Sequence, residues 1–255
     1  MHYKSANNRL AGKTALVTGA GSGFGAGIAQ AFIAEGASVL LVDIDINAAG
    51  TVAQTLGDRA RPCQADVSCD ADIKAAVASA VSAFGHLDII VNNAGITHDN
   101  SPMLDVSEAE FDRIFAVNVK SVYLTARHAV PAMRAHGGGV ILNIASTAGV
   151  RPRPGLVWYN GSKGAMISLT KAMAIELAGE HIRVNAINPV AGETPLLAKF
   201  MGGDTPEKRE LFRSSIPWGR LSRPSDIASA AVFLCSDESE MITGTALNVD
   251  GGRCI

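Results

Sequence analysis

The chain has 255 residues, 47% of them hydrophobic, and a formal net charge of −2. That length allows one or two domains, and the absence of basic or acidic blocks in the sequence argues against nucleic acid or an anionic membrane surface as a partner. No apolar run reaches the roughly 18 residues that a membrane-spanning helix needs.

The cysteines and the first residues predict a cytoplasmic protein. Cys63, Cys69, Cys235 and Cys254 have no paired C-x-x-C spacing, which is typical of reduced thiols and not of a zinc site or a disulfide framework. Residues 1–9 are polar and lack the apolar core of a signal peptide. We expect them to form a flexible tail.

A glycine-rich turn follows the first predicted strand, 14–17, and precedes an apolar helical pattern over 26–34. Glycines between a strand and a helix let the backbone approach a pyrophosphate at the positive end of the helix. The turn therefore predicts a dinucleotide-binding site. Its expected contacts are Gly19, Gly21, Ser22, Gly23, Phe24 and Gly25.

An acidic residue ends the second predicted strand, 38–42. Asp43 lies 18 residues after Gly25, where a Rossmann fold places the carboxylate that binds the adenosine ribose. The alternative, a cap for a helix starting near Asp45, is less favoured because of the glycine turn upstream. Each unit of charge on a 2′-phosphate would meet repulsion on the order of 4 kcal/mol at about 4 Å, and no Lys or Arg lies in 44–46. We therefore predict NAD, with Ile44 beside Asp43 as a further contact.

The remaining pattern alternates strands and helices. Strands are predicted at 61–65, 87–91, 140–144, 183–187 and 245–249, and helices at 46–56, 70–84, 107–134, 159–178 and 224–236. This alternation predicts one α/β domain over 10–255, a Rossmann-like doubly wound parallel sheet of about seven strands with helices on both faces. Segment 190–217, rich in Gly and Pro, is typical of a substrate lid, although a plain surface insertion stays open.

Tyr159 and Lys163 are four residues apart, so a helix places them on one face. A cation about 4 Å from the phenol, at an effective dielectric of about 20, is worth roughly 4 kcal/mol or roughly three pKa units. Lys163 is thus expected to lower the pKa of Tyr159, which is normally about 10, and to make it a proton acceptor. Taken alone, this spacing is common, and a chance surface arrangement is the favoured interpretation.

Several motifs in this order and spacing resemble the short-chain dehydrogenase/reductase family over nearly the whole chain. They are Thr18-Gly-Ala-Gly-Ser-Gly-Phe-Gly25, Asp66-Val67, Asn92-Asn-Ala-Gly95, Asn118, Ser146, Tyr159-x-x-x-Lys163 and Asn188-Pro189. The resemblance implies that Ser146 binds the substrate oxygen, Tyr159 is the acid/base, Lys163 lowers its pKa and holds the nicotinamide ribose, and Asn118 supports a water. From its surroundings alone, Asn118 is either a satisfied buried amide or a functional one.

The resemblance also implies cofactor contacts beyond the glycine turn and Asp43. These are Asp66, Val67, Asn93, Ala94, Gly95, Tyr159, Lys163, Pro189, Gly192 and Thr194. One stretch departs from the family pattern, because Val190 stands where a flexible residue is usual and Gly192 where a β-branched one is. The contact from Thr194 is therefore less firmly implied.

The implied activity is NAD-dependent hydride transfer between the nicotinamide and a secondary alcohol such as a sugar, a polyol or another hydroxy compound. A 3-oxoacyl-thioester reductase is the alternative, and a non-catalytic nucleotide sensor is disfavoured because all four catalytic positions are filled. Predicted substrate contacts are Ser146, Arg151, Arg153 and Trp158. For Arg151 and Arg153, which could bind an anionic substrate, a position facing solvent or at a subunit contact is the favoured alternative. The expected partners are a small-molecule substrate and copies of the same chain in a homotetramer or homodimer, and no cluster with metal-ligand spacing is seen.

Overall fold

The computed structural model describes residues 8–255. Its strands are β1 Thr14–Thr18, β2 Ser38–Asp43, β3 Ala60–Gln64, β4 Ile89–Asn92, β5 Gly139–Ile144, β6 Ile182–Pro189 and β7 Ala246–Val249. Its α-helices are α1 Gly23–Ala34, α2 Ile46–Leu56, α3 Asp70–Phe84, α4 Glu108–Phe115, α5 Ser121–Ala135, α6 Val157–Leu177, α7 Leu197–Met201, α8 Pro206–Ser214 and α9 Pro224–Cys235.

The strands form one parallel sheet in the order β3-β2-β1-β4-β5-β6-β7. Because side chains alternate along a strand, β1 contributes to both faces: Ala15 and Val17 pack under α1 and α9, and Leu16 packs on the opposite face under α3 and α5. The predicted doubly wound α/β fold is confirmed. The strand order reverses between β1 and β4, and ligands of such sheets bind at the carboxyl ends of the strands beside that point.

The helical region predicted over 107–134 is not one continuous α-helix. Ser107 caps α4 by accepting a hydrogen bond from the Glu110 amide, as its spacing indicates. A π-helical turn, Ala116–Lys120, then separates α4 from α5 and contains Asn118. Such turns are rare and occur frequently at functional sites.

Two boundaries differ from the predicted ones for reasons of long-range pairing. β6 continues to Pro189 because Ala186–Pro189 pairs with β7. At the other end of the chain, Arg9 was predicted to belong to a flexible tail, but it forms ion pairs with Glu35 and Glu238. Residues 1–7 lie outside the described residues.

Candidate active site

The glycine turn brings the start of α1 against the end of β4. Gly19 has φ 63°, and a Cβ there would lie 2.9 Å from the Cα of Ala94. A Cβ on Gly25 would lie 2.2 Å from the Gly19 carbonyl oxygen. These positions therefore require glycine, and the amide groups at the start of α1, which no side chain caps, face a cleft.

The carboxylate of Asp43 fixes the same turn from the side. One oxygen accepts a hydrogen bond from the Gly21 amide at 2.8 Å, and the other accepts one from the Asp45 amide at 3.0 Å. The alternative that Asp43 caps α2 is wrong, because Asp45 does so by accepting from the Asn47 and Ala48 amides. Asp43 is half-buried at the edge of the cleft.

The cleft has a volume of about 530 Å³. Predicted contacts that line it are Gly19, Ser22, Gly23, Phe24, Asp43, Ile44, Asp66, Val67, Asn93, Ala94, Gly95 and Thr194. Gly21 and Gly25 shape the turn without lining the cleft.

Sequence reasoning missed two cations on the cleft. Arg113 of α4 and Lys199 of α7 both line it, although neither is close in sequence to the motifs. Hydrogen bonds from Ser68 lower the pKa of Asp66, and the Arg113 guanidinium lowers it further. No sequence signal pointed to Arg113, because α4 reaches the cleft only through the packing of the π-helical turn.

A second cavity, of about 100 Å³, brings Ser146, Tyr159 and Lys163 together. The Ser146 hydroxyl lies next to the Tyr159 phenol and accepts a hydrogen bond from the Ala148 amide at 3.1 Å. Lys163 donates to the Ile144 carbonyl at 2.8 Å, and its Nζ lies 6.0 Å from the centroid of the Tyr159 ring. All three side chains are buried. Pro189, Gly192 and Thr194 also line this cavity.

Burial has the largest effect on the pKa of both ionisable groups of the cavity, Tyr159 and Lys163. It raises the pKa of Tyr159 to about 12, while the neighbouring Ser146 hydroxyl acts in the opposite direction. It lowers the pKa of Lys163 to about 8. The predicted lowering of the phenol pKa by Lys163 is not found in this structure, where the lysine bonds the Ile144 carbonyl and burial has the largest effect on the phenol.

Asn118 is a satisfied buried amide. Its Nδ2 donates to the Ile96 carbonyl and to the Ser162 hydroxyl, both at 2.9 Å, and its Oδ1 accepts from the Ile96 amide at 2.9 Å. The Asn118 side chain does not line the cavity. Its hydrogen bonds connect α6 to the segment that follows β4. The support of a water by Asn118 stays a prediction.

The wall opposite Ser146 is apolar and comes from the predicted lid. Phe200 of α7 packs edge-on against Tyr159 with ring centroids 5.6 Å apart, and Phe212 of α8 packs against Phe200 at 5.8 Å. Val190 and Leu197 complete this wall. Among residues 8–255, Lys163 is the one charged side chain that lines the cavity.

The structure does not bring Arg151, Arg153 or Trp158 to the cavity. Arg153 stacks over the Phe212 ring at 4.3 Å and donates to the Ser215 hydroxyl, and burial lowers its pKa to about 10. Arg151 donates to the Arg253 carbonyl. Trp158 donates its indole N–H to the Met103 carbonyl and packs edge-on against Phe111. None of these three side chains lines the cavity in this structure, and their contact with a substrate stays a prediction.

The departure from the family pattern at 190–192 has a packing cause. A Cβ on Gly192 would lie 2.3 Å from the Phe24 ring and 2.8 Å from the Ser222 hydroxyl. The Phe24 ring therefore occupies the space that a β-branched side chain would fill. Thr194 still lies against the glycine turn, with its side chain 3.3 Å from the position of a Cβ on Gly23.

Comparisons with known proteins match almost the whole chain. A family model described as enoyl-(acyl carrier protein) reductase matches residues 19–253. The chain belongs to the short-chain dehydrogenase/reductase family. Like the members it matches, it is an NAD(P)-dependent oxidoreductase of CH–OH groups, which sets aside the sensor alternative.

Within this family the relatives differ in substrate. The chain is 52% identical over 247 residues to a 4-formylbenzenesulfonate dehydrogenase of Comamonas testosteroni, covering 95% of this chain and 98% of that protein. It is 41% identical over 253 residues to a galactitol 2-dehydrogenase of Agrobacterium fabrum, covering 96% and 98%. A crystal structure of a 3-ketoacyl-(acyl-carrier-protein) reductase from Brucella melitensis complexed with NADH matches with a TM-score of 0.93 and 54% identity, covering 96% and 100%.

No helix in the described part of the chain, residues 8–255, is long and apolar enough to cross a membrane.

Proposed function

We propose that this dehydrogenase/reductase uses NAD(H) to interconvert a secondary alcohol and its ketone, with Tyr159 as the acid/base. The observation that carries the proposal is that Ser146, Tyr159 and Lys163 meet in a cavity that shares lining residues, such as Phe24 and Gly95, with the cleft behind the glycine turn. A reacting carbon in the cavity therefore lies beside the place for a dinucleotide.

The cleft fits a dinucleotide because Gly19, Ser22 and Gly23 line it with backbone and small side chains, and because its edge carries one carboxylate, Asp43, where a ribose is expected. The glycine turn and the start of α1 would hold the pyrophosphate, Asp43 the adenosine ribose, and Asp66 with Val67 the adenine side. Tyr159, Lys163, Pro189 and Thr194 would surround the nicotinamide end. When bound, the nicotinamide supplies the hydride acceptor or donor.

The side chains of the cavity orient the substrate and hold its proton. Ser146 donates a hydrogen bond to the substrate oxygen, so the oxygen lies next to the Tyr159 hydroxyl. Tyr159 accepts the alcohol proton during oxidation and returns it during reduction. Lys163 places its positive charge where the buried phenolate forms, and Asn118 positions α6 through Ser162.

The apolar wall supports an aromatic or otherwise apolar hydroxy compound over a sugar or a polyol. Phe24, Leu197 and Phe200 line the cavity, and they offer no hydrogen bonds to several hydroxyl groups. Buried hydroxyls without partners are costly, on the order of 1–3 kcal/mol each. The similarity to a dehydrogenase named for an aromatic aldehyde agrees with this substrate class.

A second candidate is a 3-oxoacyl-thioester reductase. It is favoured by the 54% identity to the Brucella reductase, and a short acyl chain also suits an apolar wall. The test that separates the candidates is a panel assay with NAD: 1-phenylethanol and substituted relatives, galactitol, and a 3-hydroxybutyryl thioester. We expect an aryl alcohol to give the highest kcat/KM. NADH formation from none of them would contradict the function, and the highest value for the thioester would select the second candidate.

We propose that the protein assembles as a homotetramer or homodimer. Leu104, before α4, and Ile175 of α6 are both 84% exposed, and Tyr123 of α5 is 56% exposed. Large apolar side chains on the outside of these helices support burial against a second copy.

We further propose a cytoplasmic location. The four cysteines are free thiols, and such thiols persist in reducing compartments. Labelling the intact protein in cell extract with a thiol reagent measures this: recovery of the thiols as a disulfide would contradict it.

A further inference from the structure

Two histidines and an aspartate meet at the amino ends of the strands, the opposite edge of the sheet from the cavity. His86 Nε2 lies 3.0 Å from Asp88 Oδ2, and His136 Nε2 lies 3.7 Å from Asp88 Oδ1. The two imidazole rings stack with centroids 4.3 Å apart. One ligand atom from each of the three residues lies within 4.8 Å of the other two. Sequence reasoning missed this cluster because His136 comes from a different helix.

The surroundings of the cluster favour a positive charge. The Asp88 side chain is largely buried, and one oxygen accepts a hydrogen bond from the Thr14 amide at 2.7 Å. His86 follows the C-cap of α3, and His136 is the C-cap of α5, each helix being 15 residues long. The negative ends of two helix dipoles thus point to the same carboxylate.

The nearest permanent cations are occupied elsewhere. Lys13 lies 3.6 Å from Asp237, and Arg183 donates to the carbonyls of Leu234, Ser236 and Ile242. Asp88 therefore has only the two imidazoles as side-chain partners among the described residues. An open cavity of about 760 Å³, lined by Asp88 and His136, gives access from solvent.

We propose that His86, Asp88 and His136 form a binding site for a divalent transition metal, Zn²⁺ by preference. Two imidazole nitrogens and a carboxylate oxygen suit Zn²⁺, whereas Ca²⁺ and Mg²⁺ prefer oxygen alone. The Gly12 carbonyl, 3.1 Å from His86 Nε2, is placed as a fourth ligand.

The planes of the stacked rings are only 20° apart. Because the lone pair of an imidazole nitrogen lies in the plane of its ring, one ring must turn before both nitrogens can bind the same ion. His136 is the ring that can do so, because its side chain is 50% exposed and belongs to the end of a helix, while His86 is 26% exposed. The ion would join the start of β4 to the end of α5. It would stabilise the fold without touching the reacting atoms, because the cavity lies at the other edge of the sheet.

The test is calorimetric titration of the untagged, chelator-treated full-length protein with ZnCl₂. His136→Ala is the test variant, and His128→Ala is the matched control: His128 belongs to the same helix and bonds Asp70 at 2.9 Å, but no third ligand is near. We expect the native protein and the control to bind one more equivalent of Zn²⁺ than His136→Ala. Equal stoichiometry in all three proteins would overturn the site.

Two further readouts keep the test independent of folding and of the proposed function. His86→Gln is a second variant in case His136→Ala is damaged, and it should lose the same equivalent. At about 100 times Kd, Zn²⁺ should raise the Tm of the native protein by roughly 5 °C or more and leave the Tm of either variant unchanged. A Tm rise of equal size in the variants would also overturn the site. Turnover with NAD should not change in His136→Ala.

Discussion

Lys163 is the ionisable group of the cavity whose pKa falls within an ordinary assay range. Burial places its pKa near 8, while burial of Tyr159 places the phenol near 12. At neutral pH the tyrosine is therefore a proton donor with a cation close by, which is the state that ketone reduction needs. Oxidation needs the phenolate, whose formation depends on the ammonium.

We expect the pH dependence of ketone reduction to follow Lys163. The ammonium is present below pH 8 and is lost as the pH rises through that value, because its pKa is lowered to about 8. kcat/KM should be level below pH 8 and fall about tenfold per unit above it. Lys163→Arg keeps its charge throughout, so any activity it retains should stay level. A level native profile to pH 10 would contradict this role.

Asp43 decides between the two dinucleotides in this account. A 2′-phosphate beside its carboxylate costs on the order of 4 kcal/mol per unit charge before solvent screening. We expect kcat/KM with NAD to exceed that with NADP by about 100-fold or more. The measurement is the ratio of these two constants.

The matched variant is Asp43→Asn, which keeps an oxygen to accept from the Gly21 amide but removes the charge. Asp43→Ala removes both. If the charge of Asp43 causes the preference for NAD, Asp43→Asn should lower the ratio of kcat/KM with NAD to kcat/KM with NADP as much as Asp43→Ala does. A native ratio near one, with Arg113 and Lys199 on the same cleft, would show that these cations outweigh Asp43.

At the scale of elements, Phe24 of α1 packs closely against Gly192, which follows β6. Gly192→Val should clash with the Phe24 ring, which lies 2.3 Å from the position of a Cβ. We expect a loss of about 1–3 kcal/mol in the free energy of unfolding, as for other overpacked sites. Urea unfolding measures it.

The compensating change is Phe24→Ala. In the double variant the valine fills the space that the ring leaves, so the two effects should be non-additive by at least about 0.5 kcal/mol. Simple additivity would show that the Gly192 position is constrained by its backbone or by Ser222 rather than by Phe24.

The sequence predicts the bounds of a helix or strand well where residues close in sequence determine them. The bounds of α2 and α3 agree with the sequence pattern, since caps and apolar periodicity define them. The π-helical turn at Ala116–Lys120 could not be predicted, because a single wider turn does not change the average hydrophobicity of the segment. The extension of β6 depends on β7, which is distant in sequence.

The same distinction applies to the site. The motif residues gather at the carboxyl edge because parallel strands place their ends together, and this followed from the alternation of elements. The direction in which the pKa of Tyr159 shifts could not be predicted from the sequence, since it depends on burial of the phenol beside Phe200. The position of Arg153 depends on how α8 packs, and that of Arg151 depends on a contact with the Arg253 carbonyl. Sequence spacing encodes neither contact.

At the scale of the whole molecule, the exposed apolar side chains predict assembly. Light scattering at working concentration should give two or four times the chain mass of 26.4 kDa. Ile175→Glu places a charge on the exposed face of α6 and should shift the native assembly to a smaller one, while Lys74→Glu at an exposed position of α3 is the control. A monomer mass for the native protein would contradict the assembly.

The most direct test of the central claim is turnover by Tyr159→Phe. The variant keeps the ring that packs against Phe200 and removes only the hydroxyl, and Tyr123→Phe on exposed α5 is the matched control. With the best substrate of the panel, kcat should fall at least about 10³-fold, while NADH binding measured by fluorescence stays close to native. Turnover by Tyr159→Phe within tenfold of native would show that another group moves the proton.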